Sequence, residues 1–291
     1  MKISEFVERA CNELAQNDLY YGHGTDNPFD EAVYLSYASL GFDFPIENQI
    51  DRELSSAELH LLEQQLGLRI EQQIPVAYIV GKAWFAGYPF FCDERALVPR
   101  SPIAELILNR FEPLLSTYPF RVLDLCTGGG SIGIATALEL PECTVTLADI
   151  SERALALADE NIILHDLGSR VKTIHSNLFQ AVEDKYQLIL SNPPYVSRAE
   201  INDLPGEFLH EPELGLLSED DGLEIPLQIM REAAEYLTDS GLLIMEVGYS
   251  NELLSSRLKD VPILWLVFEN GGEGVLAMTA AQLRQYREYF I

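Results

Sequence analysis

The peptide Asn192-Pro193-Pro194-Tyr195, which follows the apolar run 186–190, combines residue types that suit it to chemistry. Two consecutive prolines donate no sheet hydrogen bonds and fix their own φ, so a strand is expected to end here in a stiff turn. The Asn192 side-chain oxygen and the Pro193 carbonyl are two acceptors that could hold a planar NH₂ group, and Tyr195 offers it a flat face. Asn192, Pro193 and Tyr195 are therefore candidate catalytic residues, with Pro194 as a further substrate contact. A plain Pro-Pro strand terminator is the alternative.

A glycine-rich loop follows an earlier apolar run. Gly128, Gly130 and Gly133 have the spacing G-x-G-x-x-G, and Asp149 follows Gly128 after about 20 positions, as in dinucleotide-binding folds whose acid binds a ribose. The spacing by itself leaves three interpretations open: an NAD-binding domain, another nucleotide-like cofactor, or a purely structural glycine turn.

Predicted strands and helices alternate from about residue 103, which indicates a parallel sheet with helices on both faces. Helices are expected at 131–140, from Ser151, and near 223–237; strands are expected at 120–125, 144–149, 171–175, 186–190 and 241–247. Two last apolar runs, 263–268 and 275–278, flank the turn Asn270-Gly-Gly-Glu-Gly274 and predict a terminal hairpin. An α/β doubly wound sheet that ends in an antiparallel hairpin resembles the class I (Rossmann-like) methyltransferase fold.

Two further segments precede this domain. Residues 1–75 predict a small helical domain with a substrate-recognition role, in which Asp30 is a plausible helix cap and Ser55 with Glu58 forms a capping box. Residues 76–102 predict a β-hairpin linker of short aromatic strands, the first at 77–80 before a turn at Gly81. The methyltransferase-like domain then spans 103–291.

In that fold, the surroundings of the glycine loop favour S-adenosylmethionine over NAD. Asp124 closes the first strand and could attract the cofactor's ammonium group, while Gly128 and Gly130 allow close backbone approach. Asp149 could accept from the ribose hydroxyls. Asn177 could accept from the adenine amino group, with Leu178 packed on the ring. The candidate cofactor contacts are Asp124, Cys126, Gly128, Gly130, Asp149, Ile150, Asn177, Leu178 and Asn192.

Composition limits the partners. With 19 basic and 46 acidic residues the net charge is −27, which disfavours binding to a nucleic-acid backbone and favours a basic partner. No apolar run approaches the ~18–20 residues of a membrane span, and no signal peptide is evident. The four cysteines lack metal-site spacing, so no metal is expected. A cytoplasmic protein is the expectation.

Taken together, the chain resembles the HemK-type glutamine-amide methyltransferases over nearly its whole length. The matching stretches are Ile74-Pro-Val-Ala-Tyr-Ile, Trp84-Phe-Ala-Gly, Val98-Pro-Arg100, Asp124-Leu-Cys-Thr-Gly, Ser191-Asn-Pro-Pro-Tyr-Val and His210-Glu-Pro-Glu-Leu-Gly-Leu. Many members have glycine where Cys126 stands and aspartate where Asn177 stands.

Two stretches, 21–32 and 93–103, point to the branch that modifies ribosomal protein three of the large subunit. The release-factor branch typically has Pro-Arg-Pro-Glu-Thr-Glu where this chain has Pro99-Arg-Ser-Pro-Ile103. The resemblance implies methyl transfer from S-adenosylmethionine to a glutamine side-chain amide of that basic protein. A methyltransferase of release factors, a DNA adenine or cytosine amino-methyltransferase, and an idle cofactor-binding assembly protein are the rivals.

Three further features have weaker functional signals. His210 and Glu211 are candidate substrate contacts that shape the acceptor pocket. His23 is interpreted as a turn residue rather than a ligand or base. Residues 200–224 hold nine acids and no Lys or Arg, and are either a solvated loop or a docking surface for a basic protein.

Overall fold

The structure, a computed structural model, describes residues 1–42, 50–115 and 117–291. Part of the predicted helical segment 1–75, residues 43–49, lies outside the described ranges. The helices are α1 Ile3–Ala15, α2 Pro28–Ser39, α3 Ser56–Gln72, α4 Val76–Val80, α5 Ile103–Leu108, α6 Ser131–Glu139, α7 Glu152–Leu164, α8 Arg198–Ile201, α9 Glu224–Glu232, α10 Asn251–Arg257 and α11 Ala280–Gln285. The strands are β1 Lys82–Phe85, β2 Tyr88–Phe91, β3 Arg121–Leu125, β4 Thr144–Asp149, β5 Val171–His175, β6 Tyr186–Ser191, β7 Leu237–Glu246, β8 Leu264–Trp265 and β9 Val275–Thr279.

The central sheet has seven strands in the order β5-β4-β3-β6-β7-β9-β8. Strands β3 to β7 are parallel, and β9 runs antiparallel to both β7 and β8. The predicted doubly wound sheet with a terminal antiparallel hairpin is therefore confirmed. The strand order reverses between β3 and β6, and the crevice at such a reversal is where open α/β sheets bind ligands.

Side chains alternate along the buried strands, as a sheet covered on both faces requires. On β3, Leu123 and Leu125 join one apolar cluster and Val122 joins the other. On β6, Ile189 packs in the first cluster, with Leu188 and Leu190 in the second. These two clusters fix the sheet register and hence the positions of the loops that leave its carboxyl edge.

The N-terminal helices have an apolar cluster of their own, which includes Phe6, Leu35 and Leu62. Helix α3 begins with the predicted capping box, in which Ser55 accepts from the Glu58 amide and Glu58 from the Ser55 amide. The predicted cap Asp30 is wrong. Helix α2 is capped by Asn27, because the following Pro28 holds Asn27 extended and leaves its side chain to accept from the Asp30 amide at 2.9 Å.

The linker differs from its prediction in one element. Residues 77–80, predicted as a strand, form helix α4, which starts after Pro75 and ends at Gly81 with φ 68°. Proline before a helix and left-handed glycine after it are its usual boundaries. The hairpin consists of β1 and β2 alone, and its tight turn is formed by Ala86 and Gly87, both with positive φ.

The C-terminal half shows smaller differences. The helix predicted near 223–237 ends at Glu232 and is followed by a 3₁₀ turn, Ala233–Glu235. Strand β7 starts at Leu237, earlier than the predicted Gly241. The two strands of the terminal hairpin pair as predicted, although β8 has only two residues, with Leu264 opposite Ala277.

Candidate active site

The sheet register brings the predicted site residues to one edge. Leu125 lies beside Ala148 on one side and Ser191 on the other, and Ser191 lies beside Met245. The residues that follow this row therefore start the loops of four neighbouring strands at the same level. Asp149 and Asn192 are among them, and so is Glu246, the last residue of β7. Sequence reasoning did not select Glu246, although it is an acid that ends an apolar run.

The acceptor turn, defined as Asn192-Pro193-Pro194-Tyr195, directly follows β6. Ser191 anchors its start by donating to the Leu125 carbonyl at 2.7 Å. Both prolines are buried, and Asn192 is partly exposed. Within the described ranges, no protein group hydrogen-bonds to the Asn192 side chain, so its oxygen is free to accept from a ligand.

The end of the acceptor turn is held on three sides. The Tyr195 hydroxyl donates to Glu246 Oε1 at 3.1 Å, and the Tyr195 carbonyl accepts from the Ser250 hydroxyl at 3.0 Å. Gly222 and Gly248 approach it so closely that a side chain at Gly222 would collide with the Tyr195 carbonyl, and one at Gly248 with the ring. The tyrosine is therefore fixed in place before any ligand binds.

The glycine-rich loop, residues 126–130, runs from β3 into α6. Gly128 and Gly130 have φ of 56° and 85°, and Cys126 adopts a left-handed φ of 58° despite its side chain, a conformation that favours glycine. A glycine at this position would adopt the same backbone conformation without strain. A side chain at Gly133 would collide with Leu147, so this glycine lets α6 pack against β4.

Asp124 is completely buried at the end of β3. Its Oδ2 accepts from the Thr127 hydroxyl at 2.5 Å and the Gly133 amide at 2.9 Å. Its Oδ1 is buried and has no partner among the described residues. Burial raises the pKa of Asp124 to about 7, against the lowering effect of those two hydrogen bonds. An unpaired carboxylate oxygen in such a place fits the ammonium group of S-adenosylmethionine.

Asp149 braces the loop from the end of β4. Its two oxygens accept from the Gly128 amide and the Ser151 amide, each at 2.8 Å. Burial raises its pKa, while the backbone hydrogen bonds oppose this. Each carboxylate oxygen has more than one lone pair, so acceptor capacity is left for the two ribose hydroxyls.

We expect Asp149→Ala to weaken S-adenosylmethionine binding by ~1–3 kcal/mol, since it removes the ribose acceptors and leaves their hydroxyls unpaired. Titration calorimetry measures this directly. The matched control is Asp159→Ala on α7, whose exposed carboxylate accepts from the Thr173 hydroxyl. Equal affinity in the Asp149 variant and the wild type would remove Asp149 from the cofactor site.

The remaining candidate cofactor contacts differ in exposure. Ile150 is 44% exposed after β4, and Asn177 is exposed after β5. Leu178 is only 8% exposed and belongs to the apolar core, so little of it is free to cover a ring. Ser176 shapes this turn by donating to the Leu178 carbonyl at 2.6 Å. The adenine contacts of Asn177 and Leu178 remain predictions.

Glu211 and His210 form their hydrogen bonds with residues outside the acceptor turn. The Glu211 side chain is fully buried and accepts two hydrogen bonds from Arg100, at 2.5 and 2.6 Å, and one from the Val98 amide at 2.9 Å. Burial alone would raise its pKa, but Arg100 outweighs this and lowers it to about 2. His210 lies 2.8 Å from the Gln72 carbonyl at the end of α3. These contacts join residues 210–211 to residues 98–100 and to the end of α3. The predicted substrate contacts of His210 and Glu211 remain predictions.

His23 is buried, at 7% exposure, against the ring of Phe208. Its Nε2 is 3.4 Å from Glu211 Oε2, without the alignment of a hydrogen bond. Burial lowers the pKa of His23, which keeps the ring neutral near pH 7. It packs against Phe208, and its interpretation as a turn residue rather than a ligand or base stays a prediction.

The acidic stretch 200–224 combines two buried acids with acids that are exposed at the surface. Glu207 and Glu211 are buried partners of Arg69 and Arg100. At the surface, Glu219 pairs with Arg198 at 2.6 Å and Asp220 with Arg257 at 2.5 Å. Most of its acids are exposed, and its role as a solvated loop or as a docking surface for a basic protein stays a prediction.

The described ranges contain no group of three or more His, Cys, Asp or Glu that could hold a metal ion. Within the same ranges, no helix is long and apolar enough to cross a membrane.

Known proteins resemble this chain in sequence and in fold. Residues 104–217 match the family model of the methyltransferase small domain. The chain is 41% identical to the ribosomal protein uL3 glutamine methyltransferase of Francisella tularensis over 292 residues, which cover 99% of this chain and 93% of that protein. It is 37% identical to the protein of the same name from Neisseria gonorrhoeae, over 97% of this chain and 95% of the relative.

A solved structure with the same fold is the catalytic domain of hMettl16 in complex with a 3'UTR hairpin. It is 15% identical, with a TM-score of 0.52 over 90% of this chain and 96% of that one, which shows the fold alone. Both curated relatives match this chain over nearly its full length. The chain is a methyltransferase with S-adenosylmethionine as its methyl donor, and it belongs to the family of ribosomal protein uL3 glutamine methyltransferases.

Proposed function

We propose that this chain transfers a methyl group from S-adenosylmethionine to the side-chain amide nitrogen of one glutamine in ribosomal protein uL3. The observation that carries the proposal is the acceptor turn, which places the Asn192 side chain and the Pro193 carbonyl at the same sheet edge as Asp124 and Asp149. The names of the two curated relatives support a glutamine of ribosomal protein uL3 as the methyl acceptor.

The chemical difficulty lies in the nucleophile. An amide nitrogen is unreactive because its lone pair is delocalised into the carbonyl. In the proposed arrangement, Asn192 Oδ1 and the Pro193 carbonyl accept from the two amide hydrogens and stabilise the positive charge that develops on nitrogen. Fixed positioning of this kind can supply up to ~7–11 kcal/mol of the barrier in favourable cases.

Proton removal needs no dedicated base in this scheme. When bound, S-adenosylmethionine supplies its methyl group on a sulfonium, an electrophile strong enough to react with a neutral amide nitrogen. The methylated nitrogen then has a very acidic proton, which leaves to water. Glu246, the acid nearest to the acceptor turn, already accepts from Tyr195 and Ser101, and the scheme gives it no proton-transfer step.

The net charge of the chain argues against a DNA amino-methyltransferase. A DNA amino-methyltransferase needs a basic face for the phosphate backbone and must flip its base out. This chain has a net charge of −27, so we propose no direct DNA binding. A basic large-subunit ribosomal protein in the cytoplasm is the partner that the charge favours.

The N-terminal helices are the proposed determinant of substrate choice. We propose that residues 1–75 form a recognition domain, joined by the linker 76–102 to the methyltransferase domain 103–291. Arg69 of α3 supports this, because it pairs with Glu207 in the loop that follows the acceptor turn. A protein bound on the helices would therefore sit next to the site of methyl transfer.

The substrate assignment is tested by competition. With labelled S-adenosylmethionine and equal amounts of uL3 and a peptide release factor, we expect label to enter uL3 preferentially. The rate should fall as salt rises, because opposite charges steer the encounter. Cofactor affinity, measured at each salt concentration, is the control. Preferential labelling of the release factor would overturn the acceptor, and a salt-independent rate would overturn the steering.

A further inference from the structure

Glu246 is a buried acid next to the acceptor turn. It ends β7, and its neighbour Met245 lies opposite Ser191, the residue that precedes Asn192. Glu246 is only 6% exposed. A carboxylate buried in this way needs specific partners, and the identity of those partners suggests its role.

Both oxygens of Glu246 are occupied, each from a different part of the chain. The Tyr195 hydroxyl donates to Oε1 at 3.1 Å, and the Ser101 hydroxyl donates to Oε2 at 2.6 Å. Ser101 is held in turn by the Ile103 amide, which donates to its oxygen at 3.2 Å. The linker, β7 and the acceptor turn therefore share one chain of hydrogen bonds.

The neighbouring cation Arg100 does not take the place of these hydrogen bonds to Glu246. Arg100, the closest basic residue in sequence to Ser101, has its guanidinium committed to Glu211 by two hydrogen bonds. Burial raises the pKa of Tyr195, so the hydroxyl keeps its proton and donates. Gly248 lies against one side of the Tyr195 ring. The ring is thus packed on one side and fixed at its hydroxyl by Glu246.

We propose that Glu246 is a positioning residue: it holds the Tyr195 ring in the plane against which the glutamine amide lies, while Ser101 fixes the carboxylate from the linker side. The inference rests on the proposed function, because that function gives Tyr195 its contact with the acceptor. Serine supplies a hydroxyl here that a proline at the same position would lack, so the linker stretch 99–103 contributes directly to the geometry of the acceptor site.

The test measures kcat for methyl transfer to uL3 and the affinity for S-adenosylmethionine in parallel. Tyr195→Phe and Glu246→Leu should each lower kcat by ~10–100-fold, as expected for a lost hydrogen bond to a charged group. Cofactor affinity should stay unchanged. Glu246→Gln should retain most of the activity, because its amide oxygen still accepts from Tyr195. The double variant should lose no more than either single one.

A matched control exists elsewhere in the fold. The Tyr88 hydroxyl donates to Glu139 at 2.7 Å, between β2 and α6, and Tyr88→Phe or Glu139→Leu should leave kcat unchanged. Full activity in Tyr195→Phe, or multiplied losses in the double variant, would overturn the positioning role even if Glu246→Leu failed to fold. Absence of methyl transfer by the wild type would instead overturn the proposed function, and this role with it.

Discussion

Asn192→Ala should lower kcat for methyl transfer at least ~10²-fold, by analogy with the removal of one positioned hydrogen-bond partner from an active site. The Asn192 oxygen is one of only two acceptors that the proposed turn offers to the amide hydrogens. Without it, the amide is free to rotate away from the methyl group. Affinity for S-adenosylmethionine should change far less, since Asp124 and Asp149 remain.

Single-turnover methyl transfer and calorimetry separate these two effects. Asn202→Ala is a suitable control, because this exposed asparagine lies in the following loop and donates only to the Arg198 carbonyl. Its rate should match the wild type. A near wild-type rate in Asn192→Ala would show that the acceptor turn does not orient the substrate.

Arg69→Ala should have the largest effect on stability. Arg69 is 1% exposed and binds Glu31 at 2.5 Å, Glu207 at 2.9 Å and the Tyr20 carbonyl at 2.9 Å. Its removal leaves two carboxylates buried without a counter-charge. Breaking a buried ion pair from one side costs ~3–5 kcal/mol, so the free energy of unfolding should fall by about that amount.

Denaturant unfolding measures this loss. Arg153→Ala is the matched control: its pair with Glu94 spans 3.3 Å, with side chains 69% and 67% exposed, and such surface pairs contribute ~0–1 kcal/mol. A loss below 1 kcal/mol for Arg69→Ala, on this scale, would mean that the buried network does not stabilise the folded chain. Arg69→Lys should lie between the two, because a lysine keeps the charge but loses the planar fork.

Local sequence patterns predicted most of the helices and strands. The alternation of apolar runs with helical periods predicted the strands of the parallel sheet, and the Ser55–Glu58 capping box predicted the start of α3. The errors arose where two local signals competed. Residues 78–80 are aromatic or β-branched, as in a strand, but Pro75 and Gly81 bound the segment 77–80 as a helix. Asp30 suits a cap, but Pro28 gives that position to Asn27.

The site was predictable where its residues follow strands directly. Asp124, Asp149 and Asn192 lie at or just after the ends of predicted strands, and parallel strands bring such residues to one edge. The supporting contacts were not predictable, because they join distant segments. Arg69 and Glu207 are 138 positions apart, and Ser101 and Glu246 are 145 apart. Only the folded chain shows that Glu207 and Glu211, two acids of the stretch 200–224, are buried partners of Arg69 and Arg100.

The most direct test is mass spectrometry of ribosomal protein uL3 from cells lacking this chain and from the same cells carrying it again. The proposed function predicts one glutamine with a single methyl group on its side-chain amide nitrogen when the chain is present, and the unmodified glutamine when it is absent. A glutamine methylated equally in both, or a methyl group that maps to another residue type, would contradict it.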